Sequence, residues 1–146
     1  MQNVITELEQ LTVTSSAKRF LSEAAKWCKL LSIAGFIGIG LMLIVALFTG
    51  TMVDLLQSSV QKPLPNGLSI ATSVTYVLIA IIYFFPMYYL YQFSKHMKKA
   101  LLMKNDETLE KAFEMLKSHY KYIGVLTIIT ISLYVFFIFI LLMGIL

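Results

Sequence analysis

The amino-acid sequence predicts an all-α membrane protein with three transmembrane helices, and three observations carry that prediction. Residues 30–48, 70–93 and 122–146 contain no Asp, Glu, Lys, Arg or His. At about 1.5 Å of rise per residue, each stretch is long enough to cross a hydrocarbon layer of roughly 30 Å. Of the twelve basic residues, all but Lys62 fall in the leader before the first stretch or in the connection between the second and third. Basic loops stay in the cytoplasm, so this asymmetry places the N-terminus inside and the C-terminus outside. An odd number of spans agrees with termini on opposite faces.

Composition points the same way. A chain of 146 residues that is 58% hydrophobic, with mean hydropathy +0.78, has room for three spanning helices but not for a separate soluble domain. The net charge of +4 sits beside the spans, where it meets anionic lipid headgroups. A nucleic-acid partner is therefore not expected. The single cysteine, Cys28, excludes an intramolecular disulfide. The polar leader is too long for the n-region of a cleaved signal peptide, so the first apolar stretch is expected to be a retained span.

These boundaries divide the chain into an amphipathic N-terminal segment (1–29), a first span (30–49), an outer loop (50–69), a second span (70–93), a cytoplasmic helical hairpin (94–121) and a third span (122–146). In the first segment Val4, Leu8 and Leu11 recur at helical spacing with Glu7 and Glu9 between them. Ser16 is the expected N-cap of a second helix, with Phe20, Ala24, Trp27 and Leu31 on one stripe and Lys18, Ser22, Lys26 and Lys29 on the other. This pattern suits a helix lying on an anionic surface before it turns into the membrane. Periodicity does not separate a lipid partner from a protein one.

Within the first span Ala34 and Gly38, and again Ala46 and Gly50, form small-xxx-small pairs. Such pairs let helix backbones approach closely in lipid, so this is the expected helix-packing face. In the outer loop Val53, Leu56 and Val60 suggest a short interfacial helix ending at Lys62, and residues 63–67 form a breaker cluster. The second span carries an aromatic run over residues 83–93 that contains Pro86. Proline has no N–H for the carbonyl of Ile82, so a kink is expected at Pro86, with hydroxyls or a neighbouring helix covering the freed group.

Beyond the bilayer, Met97 and Leu101 continue the stripe of the second span, and Leu109, Phe113 and Leu116 form a matching stripe that runs into the third. Asn105 and Asp106 suit a tight turn and an N-cap between them. Glu107 and Lys111 stand at helical ion-pair spacing. The two stripes predict an antiparallel hairpin, and Met97, Leu101, Leu109, Phe113 and Leu116 are its candidate partner-binding residues.

Chemistry is expected to be absent. Ionisable groups inside a membrane mark proton relays and intramembrane catalysis, and the three spans have none. The span hydroxyls of Ser32, Thr72, Ser73, Thr75, Thr127, Thr130 and Ser132 have no His, Lys or Asp at their depth to activate them. His96 and His119 sit at different heights on the hairpin, with no further ligand set near them, and are expected to face solvent. No enzyme activity, metal or cofactor is expected.

The run Tyr88, Tyr89, Leu90, Tyr91, Gln92, Phe93, Ser94 and Lys95, then Met97, Lys98, Lys99, Ala100 and Leu101, precedes a hairpin and a Tyr120, Lys121, Tyr122 entry to the last span. In these features, from about Ala17 onward, the chain resembles a bacterial family of small integral membrane proteins known only as a domain of unknown function. The resemblance implies a bacterial cytoplasmic-membrane location, no known activity and no site residues. The expected function is an accessory or scaffold subunit that docks a protein partner, or self-associates, through the hairpin and helix faces. The alternative is an oligomeric channel or transport component for a neutral or apolar solute, lined by threonines. A lipid-headgroup enzyme using His96 or His119 as general base would lack a second catalytic group.

Overall fold

The computed structural model describes residues 13–59 and 67–145. They form three long helices, α1 (Ser15–Ser59), α2 (Leu68–Met103) and α3 (Asp106–Ile145), with no strand among the described residues. Each contains a window long and apolar enough to cross a membrane. The Val4, Leu8, Leu11 stripe, Lys62 and the Pro63–Asn66 part of the breaker cluster lie outside the described residues.

Helix α1 corrects two expected boundaries. It runs unbroken from the basic leader through the first apolar stretch and on to Ser59, where a turn near residue 29 and a loop from residue 50 were expected. No proline falls between Ser15 and Ser59, and glycine alone lowers helix propensity by only about 1 kcal/mol. Hydroxyls follow the helix rather than ending it: Thr51 Oγ1 donates to the Phe48 carbonyl at 2.8 Å, and Ser58 Oγ to that of Leu55 at 2.7 Å. The N-cap is Thr14, not Ser16, for Thr14 Oγ1 accepts the Ala17 N–H at 3.3 Å.

The three helices pack in sequence order, with α2 in the middle, antiparallel to both α1 and α3. Along α1 the half-buried or buried positions Ala25, Cys28, Ser32, Gly35, Ile39, Met42, Ala46, Thr49 and Val53 recur at alternating spacings of three and four. That is the spacing of a left-handed helix-packing seam. Two hydroxyls fix its register. Ser94 Oγ donates to the Ala25 carbonyl at 2.6 Å, and Ser73 Oγ donates to the Ala46 carbonyl at 2.9 Å. Ser73 and Ser94 stand 21 residues apart, as do Ala25 and Ala46, so the clasps lie about 31 Å apart along the seam.

The seam corrects part of the expected packing face. Ala46 is in it, only 6% exposed. Ala34 and Gly38 face outward, and nothing comes within 4 Å of a Cβ built on Gly38 or Gly50. The close approach is made at Gly35 instead, where an added Cβ would collide with the side chain of Met87.

The α2–α3 turn is short. Lys104 adopts φ 52°, ψ 43°, and its N–H bonds to the Ala100 carbonyl, while Asn105 Oδ1 accepts the Thr108 N–H at 2.9 Å as the N-cap of α3. Lys111 Nζ lies 2.7 Å from Glu107 Oε1, and this bond holds the Glu107 carboxyl below its ordinary value. The pair therefore contributes at neutral pH and fades as pH falls through the Glu107 titration. A side chain in the left-handed region costs roughly 1–2 kcal/mol. Lys104→Gly should therefore raise stability by about 1 kcal/mol, read as a higher unfolding midpoint in detergent.

Candidate functional site

At the basic end the three helices share a core. Ala25 of α1, Phe93 and Met97 of α2 and Ala112 of α3 are at most 2% exposed, with Leu21, Cys28, Leu101, Leu109, Met115 and Leu116 packed around them. This corrects the candidate docking stripe. Met97 is wholly enclosed and Leu116 packs on the same core, because α1 already covers the face that the hairpin was expected to offer to a partner.

What remains open is a groove of about 560 Å³ beside the turn. Leu21, Leu101, Leu109 and Phe113 form its apolar walls, and Lys18, Lys104, Asp106 and Glu110 its charged rim. Phe113 is 45% exposed. Three of the five candidate residues, Leu101, Leu109 and Phe113, therefore meet at one concave surface.

A second arrangement joins α2 to α3. Helix α2 continues through Pro86, which leaves the Ile82 carbonyl without its usual i+4 donor. Tyr122 of α3 supplies one, its hydroxyl lying 3.0 Å from that oxygen. One turn away, His119 Nδ1 lies 2.8 Å from the Pro86 carbonyl. A carbonyl only accepts, so Nδ1 carries the proton. His119 is only 8% exposed, which corrects the expectation of a solvent-facing histidine; His96 is half-buried. In this register Lys117 and Lys121 of α3 lie at the height of Met87 and Tyr83 of α2, but two residues to either side of His119 they are exposed on the face of α3 turned away from α2.

Residues 66–142 match a family of unknown function, DUF5362. The chain belongs to that family. The DUF5362 match takes in α2, the turn and most of α3, so both carbonyl contacts near Pro86 lie inside it, whereas α1 lies outside. It is shorter than the resemblance from Ala17 onward had suggested. No curated protein and no solved structure matches the chain.

The packing roles of several residues escaped the sequence reading: Ser94, His119 and Tyr122 within the DUF5362 match, and Gly35 on α1 outside it. A spacing of seven was the signal for each: Ser73, Ala80, Met87, Ser94 and Leu101; Cys28, Gly35, Met42 and Thr49; Ala112, His119 and Leu126; and Thr108, Met115 and Tyr122. Among the described residues no three His, Cys, Asp or Glu side chains converge.

Proposed function

We propose that the chain is a non-enzymatic, three-span protein of the bacterial cytoplasmic membrane. Its N-terminus and basic end face the cytoplasm, its C-terminus lies outside, and it serves as an accessory or scaffold subunit. The observation that carries this reading is the open groove beside the turn. An apolar concavity rimmed by both signs of charge suits one apolar face of an amphipathic helix from a protein partner. Exposed apolar side chains on all sides of α3 beyond residue 127 leave that helix to lipid or to a second copy. The channel alternative draws less support, because Thr72, Thr75 and Thr130 each donate to the carbonyl four residues back in their own helix.

Purification in mild detergent tests the reading. A stoichiometric partner, or a defined homo-oligomer, is expected with the wild type. Phe113→Asp should release it, while Tyr120→Ala, at a residue 66% exposed and outside the groove, should not. A monodisperse monomer without companions would overturn the proposal.

A further inference from the structure

Between α1 and α2, a pocket of about 250 Å³ is lined by Lys29, Tyr91, Ser94, Lys95 and Lys98. Three of its five lining residues are lysines, and no Asp or Glu lines it. Among the described residues none of the three lysines is ion-paired. The geometry points to a site for the phosphodiester of an anionic phospholipid, seated between these two helices.

Lysine is a point-charge phosphate ligand, and basic pockets between membrane helices at the headgroup level suit phosphate headgroups. The Ser94 hydroxyl is engaged with the Ala25 carbonyl. It therefore holds the two pocket walls together and leaves the anion to Lys29, Lys95, Lys98 and the Tyr91 phenol.

The surroundings favour a lipid over a free anion. Lys29 closes the basic leader, and the uncharged part of α1 begins at the next residue. Below the lysines the walls turn apolar: Tyr91 packs edge-on against Phe36 at 6.4 Å, Phe36 meets Phe84 at 5.7 Å, and Phe84 stacks on Tyr88 at 6.3 Å. On the α1 side, Ile33 and Ile37 follow Lys29 at helical spacing and are 45% and 61% exposed. A headgroup held by the lysines thus has its acyl chains directed along an aromatic and aliphatic surface. A soluble phosphate would use the charges alone.

The site rests on the membrane placement proposed above. The test uses the full chain purified in mild detergent, stripped of lipid and titrated with phosphatidylglycerol under native mass spectrometry. The wild type should retain one lipid per chain, and excess inorganic phosphate should not displace it. K29Q/K95Q/K98Q should weaken retention by about tenfold or more. K111Q/K117Q/K121Q removes the same charge away from the pocket and should change retention by less than about twofold. Equal weakening by both triple variants would reduce the effect to net charge and overturn the site, as would displacement by phosphate or the absence of retained lipid. A chain that stays monodisperse without detergent would instead sink the membrane placement itself.

Discussion

Met97→Ala should cost about 2–5 kcal/mol of unfolding free energy, the range for removing a long buried side chain from a core that cannot close around the gap. Met97 has no exposed surface, and two of its three neighbours in the buried cluster are Ala25 and Ala112. Alanines have nothing to swing into the space. The backbones behind them are also held in place, α1 by the Ser94 bond to the Ala25 carbonyl and α3 by the short turn capped at Asn105. The gap should therefore persist as a cavity rather than collapse. Leu102→Ala removes a similar apolar volume five residues along, but Leu102 is 84% exposed, so it should move stability by no more than about 0.5 kcal/mol. Denaturant unfolding in detergent, followed by helical circular dichroism, measures both. Equal losses would mean that the basic end has no packed core.

The same cluster shows where sequence reasoning succeeds and where it stops. Local rules were legible: Asn105 was recognisable as a cap, and Glu107 and Lys111 as partners, because each interaction closes within one helical turn. The stripe through Met97 and Leu116 was also visible, but periodicity reports that a face is apolar and not what covers it. Its cover is α1, about seventy residues earlier in the chain. The choice between Ala34 with Gly38 and Ser32 with Gly35 met the same limit. Both pairs offer a small-residue face, and only the position of Met87 and the serine clasps decides between them. His119 is expected to face solvent when the question put to it is whether it has metal-ligand partners, although its spacing of seven from Ala112 places it on the buried stripe. A polar residue on such a stripe implies a buried acceptor, and here the acceptor is the backbone beside a proline.

That proline yields the second large effect. With this exposed surface in lipid, as proposed above, Tyr122→Phe should cost about 1–3 kcal/mol, the penalty for leaving a carbonyl without a donor where no water replaces it, since the Ile82 oxygen loses the hydroxyl that stands in for the N–H that Pro86 lacks. Pro86→Ala returns an N–H to the helix at the position that reaches Ile82. In that background the tyrosine hydroxyl has no vacancy to fill, and Tyr122→Phe should become nearly neutral. The double-mutant cycle removes whatever Pro86→Ala does to packing by itself, so the coupling isolates the carbonyl. It should amount to about 1 kcal/mol or more, well beyond the 0.3–0.5 kcal/mol within which independent sites add. Additive effects would show that water or another group already serves Ile82. The α2–α3 register, and with it the height at which the aromatic run lies against α3, would then have to be held by the Met97 core and the His119 contact.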